Sequence, residues 1–178
     1  MEILPIINRY YSDNAALRRI LMEHSDAVAV MALEVASLHP ELNADRTFLY
    51  EAAMLHDIGV FLTDAPGIEC HGIQPYICHG LLGAELLREA GFPRHARVAE
   101  RHTGTGITME AIRRQNLPLP MRDYSPETIE EQIVCYADKF FSKTHLERRR
   151  TPDQVLHSLE KFGAESVARM KQWLNTFG

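Results

Sequence analysis

The sequence predicts an all-α protein, a bundle of short helices. Two observations carry that reading: apolar residues recur at three- and four-residue intervals, and strict apolar–polar alternation is absent. A third is that glycine and proline punctuate the periodic segments. The periodicity gives helices over 2–11, 13–22, 25–38, 45–58, 79–91, 93–102, 126–143, 152–161 and 164–177.

The first two segments rest on periodicity alone. The third continues a stripe that begins at His24 and runs through Val28, Met31 and Val35. Phe48, Leu49, Ala52 and Ala53 mark the buried side of the fourth, which closes on His56 and Asp57. His79, Leu82, Gly83, Leu86 and Ala90 share one face of the fifth, Gly91 ends it, and Pro93 opens the next. That helix carries His95, Val98, Ala99 and His102 as its stripe. Ser125 followed by Pro126 reads as a cap before a first-turn proline, and Asp138 further along is flanked by Val134, Cys135, Ala137 and Phe141. Thr151, Pro152 and Gln154 repeat the cap and add a capping-box glutamine. The last two helices, rich in Leu159, Phe162, Met170, Trp173 and Phe177, are expected to cover the core.

Two stretches fall outside this pattern. Residues 59–78 hold Gly59, Pro66, Gly67, Gly72 and Pro75, a connection long enough to suggest a functional loop. It leaves directly after Asp57 and returns directly before His79, so it is expected to wall or lid a pocket. Phe61, Leu62, Ile68 and Tyr76 would pack over the opening, with Asp64, Glu69 and His71 facing the substrate. Residues 103–125 mix threonine, glycine and proline around a short helix at 108–115.

A chain of 178 residues with 46% apolar content suits one domain over 1–178, with a core at about 20–143 and covering helices at 152–177. The charge of −5, from 19 basic and 24 acidic residues, argues against broad nucleic-acid binding. No apolar run reaches the ~20 residues of a membrane helix. Glu2 stands where a signal peptide needs positive charge, and Cys70, Cys78 and Cys135 form no disulfide framework, so a cytoplasmic location is expected. Cys70 and Cys78 have no second pair and give no structural-zinc signal.

Histidine is the unusual residue, with nine in the chain. His24, His56, His79 and His102 each leave a helix on its apolar side, and Asp57 and Asp138 are placed likewise. A single histidine of this kind is commonly a core residue bonded to a backbone carbonyl. Six such groups from five helices would need six separate partners, because an unpaired buried carboxylate is prohibitive. One divalent-metal centre satisfies all of them. Imidazole and carboxylate donors without thiolates suit Fe, Mn, Co, Ni or Zn at an open catalytic site. His39, His145 and His157 read as surface residues; Arg148–Arg150 reads as a solvated run or, because it follows Lys139 and Lys143, as a phosphate-facing one. Lys139 and Lys143, one turn apart beyond Asp138, are candidates to face a phosphate.

The string AAMLHDIGV, with His24 upstream and His79, His102 and Asp138 downstream, resembles the HD-domain superfamily of metal-dependent phosphohydrolases. CHGLLGAELL, RHTGTG and VCYADKFF look similar to its hydrolases of dinucleoside polyphosphates and their relatives. The resemblance implies a five-helix metal-binding core. It implies one ion on His24, His56, Asp57 and Asp138, and a second on His79 and His102, with Asp57 bridging. Two departures bear on substrate. A lysine common three residues after the aspartate is replaced by Val60, and the GYP signature of cyclic-dinucleotide phosphodiesterases is absent.

The implied activity is hydrolysis of a nucleotide or related phosphoester or phosphoanhydride by a hydroxide that two metals share. A metal-bound water, His71 or Lys139 would protonate the leaving group. Thr103, Gly104, Thr105 and Gly106 either hold a phosphate or form a helix-ending turn. The same ligand set also serves a di-iron oxygenase of a small substrate, or a metal-binding sensor without turnover. The expected partner is a small phosphorylated molecule, with neither nucleic acid nor membrane.

Overall fold

The computed structural model describes residues 2–178. Among them the chain forms α1 (Ile3–Tyr11), α2 (Ala15–Leu38), α3 (Arg46–Leu55), α4 (His79–Glu89) and α5 (Pro93–Arg101). The short α6 (Met109–Gln115), then α7 (Ile129–Asp138), α8 (Pro152–Leu159) and α9 (Ala164–Phe177) complete the helices. The all-α expectation holds, with helices supplying nearly all the core.

The boundaries differ from the sequence reading in instructive ways. Segments 13–22 and 25–38 are one helix, because nothing between Glu23 and Asp26 breaks it and Asn14 caps its start through Leu17 N at 3.0 Å. The helix expected over 126–143 is only α7. It starts two residues after Pro126, at the capping box of Thr128 and Glu131. It stops at Asp138, where Lys139 N and Phe140 N bond back to Tyr136 O and Ala137 O in a tightened last turn. Phe141–Ser142 (β3) and His145–Arg149 (β4) then form an antiparallel hairpin. Ser142 Oγ and Thr144 Oγ1 lie 2.9 Å apart across its turn, the local hydroxyl chemistry that competes with helix. Lys139 and Lys143 are therefore not on a shared helical face.

The 59–78 connection is also more structured than expected. It contains three short 3-10 turns and the antiparallel pair Asp64–Ala65 (β1) with Cys70–His71 (β2). The main core joins α2, α3 and α7 and is closed by Val155, Leu159, Met170, Trp173 and Phe177. The side chains of α8 and α9 pack onto this core. A second cluster packs Ile7, Tyr11, Leu21 and Leu55 against Ile58, Val60 and Leu87. Between them the two cores draw on the five helices α2, α3, α4, α5 and α7.

Candidate metal centre

Close backbone approaches bring ends of these helices together. A Cβ on Gly59 would meet His79 O at 2.5 Å and run into the backbone of Gly83, so α4 crosses the end of α3 only because both positions are glycine. A Cβ on Gly80 would meet Ala99 O at 2.5 Å, which sets α4 directly on α5. His56 and Asp57 follow the last turn of α3, His79 opens α4, His102 follows α5, and Asp138 ends α7. His24 enters from the middle of α2. All six are buried.

The ring orientations are set from behind. His56 Nδ1 lies 2.6 Å from Ala53 O, His79 Nδ1 2.6 Å from Tyr76 O, and His102 Nδ1 2.7 Å from Ala99 O. Ala53 O and Ala99 O are last-turn carbonyls that a helix leaves without an amide partner. A ring N–H donated there makes Nε2 the lone-pair nitrogen. In all three cases Nε2 points inward.

The inward atoms crowd without satisfying one another. His79 Nε2 and His102 Nε2 stand 3.0 Å apart, two lone pairs facing across a gap. Asp57 Oδ2 is 3.1 Å from His24 Nε2 and 3.0 Å from His56 Nε2, while Asp57 Oδ1 is 3.4 Å from both His79 and His102. Despite these distances, His56 Nε2 and both Asp57 oxygens lack a hydrogen bond of acceptable geometry. Donor atoms that converge without bonding are arranged for a cation between them. One group is His24, His56, Asp57 and Asp138, and the other is Asp57, His79 and His102; within each, the ligand atoms lie within 4.8 Å. The donor set of imidazoles and carboxylates fits first-row divalent metals.

The electrostatics agree. Burial opposes ionisation of Asp57, yet the His56 and Lys143 charges hold its carboxyl well below the usual range. Asp138 behaves alike: burial opposes ionisation, and Lys139 with the nearby His24 and His56 imidazoles overcomes it. Burial would depress the His56 imidazole, but Asp57 and Asp138 push it up to about 9. His79 is driven down to about 3, by burial above all, with His102 and Lys143 adding to it against Asp57. His102 is lowered as well, chiefly by burial. Two neutral imidazoles on one side and two carboxylates on the other suit metal ligation.

A cavity of about 400 Å³ opens over this centre. His79, His102 and Asp138 reach it from below, and Thr103 and Gly104 line it beside them. Lys139 and Lys143 also line it, with Lys139 Nζ 2.6 Å from Asp138 Oδ2 and Lys143 Nζ 2.6 Å from Asp57 Oδ2. From the long connection, Ala65, Gly67, Ile68 and Tyr76 supply one wall. Phe61 instead packs on Tyr10 and Tyr11, and Leu62, Asp64 and Glu69 do not line the cavity. His71 is not brought in either. Its side chain is 66% exposed on β2, 3.9 Å from Glu69, because the β1–β2 pair turns it outward. Arg150, from the basic run, lines the cavity too, as does Phe162, which the sequence assigned to the core cover; Lys161 lines it with no sequence signal that singled it out.

Comparison with known proteins agrees with this geometry. The HD domain family model matches residues 21–142. An uncharacterised protein of Methanocaldococcus jannaschii is 38% identical over 164 residues, covering 90% of this chain and 83% of its own. A tRNA (cytidine(56)-2'-O)-methyltransferase of Picrophilus torridus is 39% identical over 124 residues, 69% of this chain and 32% of its own length. Its namesake in Thermoplasma volcanium is 35% identical over 162 residues, 88% of this chain and 42% of that one. The chain thus spans well under half of these two methyltransferases. The HD domain of L. monocytogenes phosphodiesterase PgpH has the same fold, with a TM-score of 0.56 at 17% identity over 96% of this chain and 95% of that one. Its complex with cyclic-di-AMP gives 0.55 at 18%, over 96% and 93%. By family match, fold and the six converging histidine and aspartate side chains, the chain belongs to the HD domain family.

Proposed function

We propose that the protein is a metal-dependent phosphohydrolase that cleaves a nucleotide or related phosphoester or phosphoanhydride in the cavity above Asp57. The observation that carries this reading is that two groups of ligand atoms share Asp57 at the base of a cavity lined by four cations. His24, His56, Asp57 and Asp138 would hold one divalent ion, and Asp57, His79 and His102 a second. Such a pair supplies a water-derived nucleophile at neutral pH and stabilises charge on phosphoryl oxygens.

The chain's own residues do the rest. The carbonyls of Ala53, Tyr76 and Ala99 keep three imidazoles in the ligating tautomer. Lys143 brings a buried ammonium to the side of Asp57, where many relatives use a lysine three residues after the aspartate; here that position is Val60, buried in the core. Lys143 and the Thr103–Gly104 backbone would receive phosphoryl oxygens. Hydrolysis adds the water oxygen to phosphorus, breaks the bond to the leaving oxygen, and returns a proton to that oxygen. Lys139 lines the cavity and is the side-chain candidate to carry that proton; His71 lies outside it.

Four cations favour an anionic substrate, and so hydrolysis over oxygenation of a small neutral molecule. The PgpH HD domain belongs to a phosphodiesterase and has been crystallised with cyclic-di-AMP, which supports phosphoester chemistry on this fold. The methyltransferase names belong to proteins more than twice the length of the matched segment, and no methyl transfer is proposed for this chain. No helix among the described residues is long and apolar enough to cross a membrane, in keeping with work on a small molecule in the cytoplasm.

The test is metal analysis joined to phosphate-release assays across nucleotides, dinucleoside polyphosphates and sugar phosphates. Metal-dependent release from at least one class is expected. Oxygen consumption by iron-loaded protein without phosphate release would replace hydrolysis with oxygenation, and no turnover on any class would leave a sensor.

A further inference from the structure

The four cations of the cavity are not equivalent. Asp138 is the one carboxylate among the residues that line it. Lys139 is matched by Asp138 and Lys143 by Asp57, each at 2.6 Å. Arg150 and Lys161 have no carboxylate within ion-pair distance among the described residues. The Arg150 guanidinium reaches only Lys139 O, at 3.4 Å, and Lys161 Nζ lies 5.1 Å from the centre of the Phe162 ring. In a chain with a formal charge of −5, two unmatched cations on the wall of one cavity need a reason.

Phe162 adds a second feature to the same wall. Its ring lies against Gly104, where a Cβ would stand 3.4 Å from the ring carbons, at a backbone φ of +64° that disfavours any side chain. The ring is thereby fixed two residues from His102, with its surface on the cavity. Arg150 is tied to the residue that follows Asp138. The C-terminal layer is therefore more than a cover for the core: it brings an aromatic ring with the Lys161 ammonium over it, and two cations without a carboxylate partner, beside the metal centre.

We propose that Arg150 and Lys161 form a second anion subsite, and that with Phe162 they select a substrate carrying a planar ring and a second phosphate besides the one at the metal centre. This rests on the hydrolase reading above and goes beyond it by naming the residues that set specificity. A second phosphate held by two otherwise unpaired cations gains charge-assisted hydrogen bonds without breaking an existing ion pair. The ring of a nucleoside gains stacking on Phe162. A sugar phosphate has neither.

The test compares AMP, ADP, adenosine 3',5'-bisphosphate and ribose 5-phosphate on the manganese-loaded protein, by steady-state kinetics and by calorimetric binding. The wild type is expected to bind ADP or the bisphosphate at least about tenfold more tightly than AMP. Preference for ADP places the second phosphate in series with the first; preference for the bisphosphate places it across the sugar. In the Arg150→Gln, Lys161→Gln double variant the binding preference for two-phosphate ligands over AMP should collapse to about twofold or less. Phe162→Ala should weaken every adenine nucleotide while sparing ribose 5-phosphate, and Phe162→Tyr should restore the loss. Equal wild-type affinity for AMP and both two-phosphate ligands would overturn the subsite, as would a preference that survives the double variant. Hydrolysis without preference sinks the subsite alone. Preference in binding without hydrolysis of any ester sinks the catalytic reading alone.

Discussion

Lys143 Nζ lies 2.6 Å from Asp57 Oδ2, joining a residue beyond the end of the cluster in sequence to the carboxylate that both groups share. The lysine sits in the turn of the β3–β4 hairpin and Asp57 in the turn after α3. Burial opposes a charged lysine, but Asp57, Tyr76 and Asp138 hold its pKa above the ordinary value, so the ammonium persists beside the ligands. The hairpin thus carries a cation that the helical periodicity could not place.

Lys143→Met is expected to lower phosphoester turnover by about tenfold to a hundredfold, the worth of one charge-assisted hydrogen bond. Lys143→Arg should recover part of the rate. Metal content should stay at the wild-type level, since neither ligand group includes Lys143. Loss of metal in the methionine variant would make the lysine a structural support and not a substrate contact.

His71→Ala should leave turnover within about twofold of the wild type. The side chain is 66% exposed and outside the cavity, so a proton would have to cross solvent to reach the leaving group. A pH–rate profile that loses a limb in this variant would show that β2 rearranges to bring His71 in.

The convergence of the six positions was legible because each is a polar residue on an otherwise apolar stripe, and that signal survives errors in helix boundaries. His24 was read as standing just before a helix and lies inside one, yet its direction relative to Val28 and Met31 is the same. The hairpin was not legible. Phe140 and Phe141 continue the apolar spacing of α7, while the turn hydroxyls of Ser142 and Thr144 that redirect the chain give a weaker pattern than the periodicity they interrupt. Lys161 was not legible, Phe162 was read only as core cover, and the Arg148–Arg150 run could not be resolved to Arg150, for a different reason. Their role depends on how the hairpin and the α8–α9 joint meet α7, a long-range placement that no local spacing encodes.

Gly59→Ala and Gly80→Ala should each destabilise the protein by roughly 1–3 kcal/mol, the range for overpacking. That is a fall of about 2–12 °C in melting temperature for a chain of this size. The added methyl meets backbone and not a flexible side chain: His79 O in one case and Ala99 O in the other. Since both contacts lie next to His79 or three residues before His102, the variants should also hold the second ion less tightly. Calorimetry and metal titration check the two effects separately. Unchanged stability would mean that α4 can slide without cost.

Cys135 should resist thiol reagents in the folded protein. Its thiol is fully enclosed, directed at His102 O and Gly104 O, and burial pushes its pKa up to about 12. Reagents attack the thiolate, so both access and ionisation oppose reaction. Mass-spectrometric labelling at neutral pH should leave Cys135 unmodified until denaturant is added. Rapid native labelling would show that the α5–α7 contact opens.

The last prediction separates one ion from two. Asp57 contributes Oδ2 to the His24, His56 side and Oδ1 to the His79, His102 side, so Asp57→Ala should release nearly all metal. His79→Ala and His102→Ala remove donors from one side only. Each should release the more weakly held ion and keep the other, because His24, His56 and Asp138 stay in place. His24→Ala should instead weaken the first ion. The His79 and His102 variants also leave one inward imidazole facing a cavity in place of its partner 3.0 Å away, so their folded stability should be checked alongside. Losing one positioned ion removes part of the charge stabilisation at phosphorus, about a thousandfold in rate or roughly 4 kcal/mol of barrier. Near-wild-type turnover in both variants would mean that a single ion does the chemistry, with His79 and His102 acting as walls of the cavity.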